Sequence, residues 1–159
     1  MVEKEYYSLE RCQTLGGDLK GRGINRMLRS RLLTQFDAHG ILPTPQRLEI
    51  AEVLFEKPQH LSAEQIIEKL RERSSGVSKA TVYNTLNLFS QRGLINDVLV
   101  DPTRRFYDSS THPHHHFYNV DTGTLMDIED SDLIVSQLPV LPEGTKAAGV
   151  EVLIKVRNA

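Results

Sequence analysis

The sequence predicts an α+β chain of two units. An N-terminal winged helix-turn-helix spans residues 25–107 behind an extension of residues 1–24, and a small α/β unit spans residues 108–159. Three observations predict it. Four segments with helix caps and helical apolar spacing run from about Asn25 to Gln91. A hairpin pattern with Arg104 and Arg105 at its tip follows them. Beyond Asp108 the apolar residues alternate and carry the β-branched content of strands.

The first helix is expected from Asn25, a cap-type residue, to His39, with Met27, Leu32, Leu33 and Phe36 facing the core and Gly40 stopping it. The second opens at Pro43-Thr-Pro45, where Thr44 caps and Pro45 fills the first helical position, and ends at Lys57-Pro58. Its apolar stripe is Leu48, Ile50, Ala51, Val53 and Leu54. Ser62-Ala-Glu-Gln65 is a capping box opening a third helix, with Ile66, Ile67 and Leu70 inward. Ser78 caps a fourth, Lys79 to Gln91, which Gly93 ends.

That fourth helix has two distinct faces. Val82, Leu86 and Phe89 at i, i+4 and i+7 bury it against the others. Ala80, Tyr83, Asn84, Asn87 and Gln91 form a neighbouring face that is polar yet uncharged apart from Lys79. Asn pairs two hydrogen bonds with adenine and a Tyr ring packs on a thymine methyl, so this face suits the reading of base edges. The same face also fits plain exposure to solvent. Leu94 to Val100, a turn at Asp101-Pro-Thr103 and Arg104 to Tyr107 then read as the wing. Three helices and a basic-tipped hairpin make the combination that docks on double-stranded DNA. Thr81, Arg47, Arg104 and Arg105 join Lys79, Tyr83, Asn84 and Asn87 as candidate DNA contacts.

Charge divides along the same boundary. Residues 1–107 hold 16 Lys and Arg against 13 Asp and Glu, while residues 108–159 hold 3 against 8. Lys20, Arg22, Arg26, Arg29 and Arg31 form a run without an intervening acid, a pattern that holds phosphates or solvates a helix face. No run reaches the roughly 18 apolar residues of a membrane helix, and none is expected to meet a membrane. The opening Met-Val-Glu-Lys-Glu does not resemble a signal peptide, so a cytoplasmic location is expected. The single Cys12 excludes an internal disulfide and a CxxC metal knuckle.

The most informative stretch opens the second unit. Asp108, His112, His114, His115 and His116 fall within nine positions, and imidazole with carboxylate suits Mn, Fe, Co or Zn. Phe117 to Val120, the turn Asp121-Thr-Gly123 and Leu125 to Ile128 read as a hairpin. If His114 to Val120 is extended, His114 and His116 share a face and His115 points away. Asp127 on the return strand then lies within reach of that face. A short helix, Leu133 to Leu138, and a strand, Val150 to Val156, are expected to complete the unit. So small a core usually needs a partner subunit, which predicts a dimer.

Pro43-Thr-Pro-Gln-Arg47, His60-Leu-Ser-Ala-Glu64, Ser78-Lys-Ala-Thr-Val-Tyr-Asn-Thr-Leu86, Arg105-Phe106 and the His-rich run before Gly123 together resemble the ferric uptake regulator (Fur) family. The resemblance covers about residues 25 to 156. Tyr-Asn-Thr-Leu, the triple His114-His115-His116 and the missing cysteines look most like the iron response regulator branch, with the peroxide regulators next. It implies a dimeric, metal-responsive transcription factor, a repressor of iron homeostasis genes, binding an AT-rich inverted repeat as a homodimer or higher assembly. It implies a regulatory divalent metal, Fe or Mn with Zn as an alternative, on His60, Asp108, His114, His116 and Asp127. Only the resemblance brings in His60. Lys79 and Tyr83 fall at the family's DNA-contacting positions, and Asn84 stands where many members have Arg.

Departures matter as much. The CxxC positions of the family's structural zinc are Asn119 and Thr122 here, so that four-cysteine zinc site is absent. Cys12 is followed by Gln13 instead of the Pro of a heme motif. His112 and His115 remain candidates for a second metal or a heme. Both carboxylates being Asp keeps peroxide sensing through Fe(II) or Mn(II) open beside iron or heme sensing. Outside the family, a metal-buffering protein or a hydrolytic metalloenzyme would account for the His cluster but for neither the wing nor the polar helix face. No catalytic residues are assigned.

Overall fold

The computed structural model describes residues 20–101, 103–129 and 131–159. Gly16-Gly17 and Cys12, with most of the expected extension, lie outside the described residues. Four helices and a three-stranded sheet form the first unit: α1 (Lys20–Ala38), α2 (Pro45–Leu54), β1 (His60–Ser62), α3 (Ala63–Glu72), α4 (Lys79–Gln91), β2 (Asn96–Asp101) and β3 (Arg104–Asp108). The second unit holds β4 (His115–Asn119), β5 (Thr124–Ile128) and β6 (Leu153–Val156).

The cap residues do what their chemistry suggests. Thr44 accepts from the Arg47 N–H with Pro45 at the first position of α2, and Ser78 accepts from the Thr81 N–H. Ser62 and Gln65 form the reciprocal capping box of α3. Gly40 and Gly93 end α1 and α4 at φ +62° and +70°, a region open to Gly, and the Ile41 and Leu94 N–H groups close back on Phe36 and Phe89.

Leu32, Phe36, Ile50, Leu54, Ile66, Val82, Leu86 and Phe89 form the centre of the helical core, all 2 % exposed or less. Phe36 and Phe89 meet with ring centroids 5.3 Å apart. Two expected core residues of α1 are in fact exposed, Met27 at 71 % and Leu33 at 41 %. The helix also starts at Lys20, so Asn25 lies within it and does not cap it; a cap-type side chain ends a helix only where its backbone leaves the helical region. α2 stops at Leu54, ahead of Lys57-Pro58.

The sheet of the first unit has strand order β1-β3-β2, both pairings antiparallel. β1, three residues long, is an element the sequence did not announce. In the second sheet, order β5-β4-β6, β6 runs parallel to β4. The expected helix at Leu133 to Leu138 is absent: that segment is irregular, and Ile134, Val135 and Leu138 are exposed. Six residues form under two turns, too few to offset nucleation without packing, and Pro139 disfavours helical backbone at Leu138.

The wing and the second sheet share a small core of their own. Val98, Val100 and Phe106 from β2 and β3 pack on Tyr118 and Leu125 from β4 and β5. Among the described residues, no helix is long and apolar enough to cross a membrane.

Candidate metal centre

Two strand pairings bring the candidate ligands together. In the β1–β3 register His60 sits opposite Asp108, and in the β4–β5 register His116 sits opposite Asp127. His114, one residue ahead of β4, lies between the two pairs. Burial along β4 alternates, with His116 and Tyr118 inside and His115 and Phe117 less covered. His115 accordingly turns to the other face, where its Nδ1 accepts the Val152 N–H at 3.2 Å.

The ligand-type atoms of His60, Asp108, His114, His116 and Asp127 all lie within 4.8 Å of one another. His114 Nε2 is 3.0 Å from both Asp108 Oδ2 and Asp127 Oδ1. His60 Nε2 is 3.0 Å from Asp127 Oδ1 and 3.4 Å from Asp108 Oδ2, and His116 Nε2 is 3.6 Å from Asp127 Oδ1. Asp108 is 1 % exposed and His116 2 %. Asp127 is the open side of the group.

These contacts do not satisfy the atoms that make them. His60 Nε2, Asp108 Oδ2, His114 Nε2 and His116 Nε2 are buried and make no aligned hydrogen bond, although a carboxylate oxygen or imidazole nitrogen stands 3.0 to 3.6 Å from each. Lone pairs aimed at a common point, not at each other, give that pattern. Two ligands at right angles around an ion at about 2.1 Å lie about 3.0 Å apart, close to the separations seen. The residues therefore fit a divalent metal, and the mixed nitrogen and oxygen donors suit Mn, Fe, Co or Zn.

Supporting contacts orient the donors. The His112 carbonyl accepts from His114 Nδ1 at 2.8 Å, which leaves Nε2 as the lone-pair nitrogen. Asp108 Oδ1 accepts the Ser110 N–H at 2.8 Å, leaving Oδ2 toward the histidines. Burial, then the neighbouring His114 and His60, press the His116 pKa down to about 4, so its imidazole is neutral at pH 7. Burial also opposes a proton on His60, but Asp108 and the charge of Asp127 outweigh it and hold the His60 pKa above its usual value. Burial raises the Asp108 pKa, yet His60, the Ser110 N–H and His114 prevail and keep it low.

His112 and His115 are not brought together. His112 is exposed and stacks on His114 with ring centroids 4.8 Å apart, while His115 faces β6. A cavity of about 460 Å³ opens onto the centre between Asn96, His112, His114, His116 and Glu151. Glu151, its Oε1 3.3 Å from His116 Nδ1, was not singled out by the sequence. Its only signal there was an acid at the start of the last alternating stretch.

The polar face of α4 is open: Lys79, Tyr83, Asn84 and Asn87 are exposed, and Thr81 is half-buried. Thr44, Gln46, Arg47, Thr81 and Asn84 line a groove between the N-terminal ends of α2 and α4. Several predicted contacts already have partners within the chain. Tyr83 donates its hydroxyl to Glu64 at 2.7 Å, and Arg47 donates to the Leu42 carbonyl. Arg105 pairs with Asp97 at 2.8 Å. Arg104 turns back from the wing tip and donates to the Tyr118 hydroxyl at 2.7 Å.

Over residues 38–154 the chain matches the ferric uptake regulator family. The peroxide-responsive repressor PerR of Staphylococcus saprophyticus is 30% identical over 95 residues, 60% of this chain and 64% of that protein. PerR of Staphylococcus aureus is 30% identical over 90 residues, 57% and 61% of the two chains. The matched stretch thus spans under two thirds of these relatives. Among solved structures, the ferric uptake regulator of Pseudomonas aeruginosa with manganese superposes with a TM-score of 0.63 at 26% identity, covering 79% of this chain and 96% of that one. The Vibrio cholerae ferric uptake regulator gives 0.63 at 23% identity, over 77% and 96%. A winged helical unit, a small sheet unit behind it and a family match across three quarters of the chain agree: this protein belongs to the ferric uptake regulator family.

Proposed function

We propose that the protein is a metal-responsive, DNA-binding transcriptional repressor of iron homeostasis genes. The observation that carries this reading is the origin of the five donors: His60 comes from the helical unit, Asp108 from the end of the wing, and His114, His116 and Asp127 from the second unit. A ligand set that bridges two units can set the angle between them. Bound there, a divalent ion supplies positive charge and directed bonds that tie the five donors to one point. The chain's part is to present them in ligating form. His116 is already neutral and Asp108 already ionised, while the raised His60 pKa sets proton and metal in competition for its imidazole.

With the angle fixed, the α4 faces of a homodimer would enter successive major grooves of an AT-rich inverted repeat. Ile134, Val140 and Leu141, exposed on the second unit, suit cover by a second copy. A DNA-binding titration of the metal-stripped protein, repeated with Mn(II) and with His114→Ala, tests the reading. Binding that appears with metal and is lost in the variant supports it. Equal binding with and without metal would leave the centre a structural one, and no binding would favour metal buffering.

A second reading, peroxide sensing, is favoured by the two aspartates of the centre and by the name of the staphylococcal relatives. It predicts oxygen added to a ligand histidine after peroxide treatment of the Fe(II)-loaded protein. Mass spectrometry showing no such addition would exclude it. Residues with no place in either reading, such as His115, need not bind metal or heme at all.

A further inference from the structure

We infer that Glu151 is a positioning residue of the metal centre, holding His116 in the tautomer and orientation that offer Nε2 to the ion. The inference rests on the metal-responsive reading of the site.

His116 is 2 % exposed, and neither ring nitrogen makes an aligned hydrogen bond. Nε2 faces the ligand cluster, 3.6 Å from Asp127 Oδ1. Nδ1 points the other way, with Glu151 Oε1 at 3.3 Å as the acceptor in reach. A neutral imidazole carries one N–H and one lone pair, so the nitrogen that keeps the proton decides which one can ligate. A carboxylate beside Nδ1 favours the proton there and leaves the lone pair on Nε2.

The backbone around Glu151 fixes it in place. The Val152 carbonyl accepts the His116 N–H at 2.9 Å, and the Val152 N–H donates to His115 Nδ1 at 3.2 Å. Residues 151 and 152 therefore clasp two successive histidines of β4 at the point where the irregular segment returns to the sheet. The other candidate ligand imidazole of the second unit shows the same logic with a different partner: His114 Nδ1 is committed to the His112 carbonyl. His116 has no backbone carbonyl in that role, and Glu151 takes it. The Glu151 side chain is 57 % exposed, so replacing it removes little packing.

The test compares wild type, Glu151→Ala, Glu151→Gln and His116→Ala for Mn(II) affinity by titration calorimetry. Imidazole nitrogen NMR of the metal-free proteins reads the His116 tautomer. Removal of such an outer partner typically weakens a metal by about 10- to 100-fold, and Glu151→Ala is expected in that range. Its His116 should lose the Nδ1–H preference. Glu151→Gln keeps an acceptor and is expected to restore both the tautomer and most of the affinity. Wild-type affinity with an unchanged tautomer in Glu151→Ala would overturn the inference, as would equal losses in the Ala and Gln variants. If wild type itself bound no better than His116→Ala, the metal reading of the site would fail, a different result from either.

Discussion

His114→Ala is the perturbation whose size follows most directly from the centre. His114 Nε2 stands 3.0 Å from a carboxylate oxygen of each aspartate, and no other imidazole comes as close to both. A ligand that binds only the folded chain stabilises it by about 4.1 kcal/mol at a thousandfold excess over its dissociation constant. At roughly 2–4 °C per kcal/mol for a chain of this size, saturating Mn(II) should raise the melting temperature by about 8–16 °C. Losing one of five donors should weaken binding by at least the roughly hundredfold seen for outer partners. At the same Mn(II) concentration the variant then gains only about 1.4 kcal/mol, a rise of about 3–6 °C. Calorimetric melts of the metal-stripped proteins with and without Mn(II) measure both numbers. His115→Ala is the comparison, since its ring bonds the Val152 N–H and supplies no donor to the centre, and it should keep the larger part of the rise. A full rise in His114→Ala, or an equal loss in His115→Ala, would refute the assignment of faces along β4.

Acid should weaken the metal-free fold through His116. Its folded pKa is depressed to about 4, so between pH 6.5 and 4 the unfolded chain takes up a proton that the folded one refuses. Stability is therefore lost as pH falls through that window, by roughly 3 kcal/mol at most, and His116→Leu should flatten this limb in urea titrations. His60 works the opposite way: its pKa is raised, and its contribution is full below about pH 6.5 and lost as pH rises through the folded value. Tyr118→Phe releases Arg104 at a cost of about 1 kcal/mol, because the freed guanidinium returns to water. If Arg104 then reaches a phosphate, the slope of log affinity for DNA against log salt should steepen by about 0.9; an unchanged slope would remove Arg104 from the DNA contacts. Phe89→Ala empties the middle of the helical core and should cost about 3–5 kcal/mol by urea unfolding, and a loss below about 1 kcal/mol would contradict the packing against Phe36.

Local chemistry made most of the helical unit legible. Thr44, Ser62 and Ser78 cap where hydroxyls cap, and the apolar stripes of α2, α3 and α4 are buried as their spacing requires. Tertiary effects decided the rest. Met27 and Leu33 have helical spacing but are exposed among the described residues, and Leu133 to Leu138 has apolar residues yet stays irregular, with Ile134, Val135 and Leu138 exposed. The centre divides the same way. Alternation alone put His114 and His116 on one side, His115 on the other and Asp127 opposite, and the β4–β5 register pairs His116 with Asp127. His60 could not be read from its own neighbourhood, because β1 is three residues long and exists through pairing with β3, which sets His60 against Asp108. The tip arginines were legible as charges, whereas the Tyr118 and Asp97 that hold them lie in other strands.

The central claim is that one ion joins the two units through these five side chains. Crystals grown with Mn(II), measured on both sides of its absorption edge, test that claim most directly. An anomalous peak is expected within bonding distance of His60 Nε2, Asp108 Oδ2, His114 Nε2, His116 Nε2 and an Asp127 oxygen. A peak that leaves out His60, or one centred on His112 and His115, would contradict it.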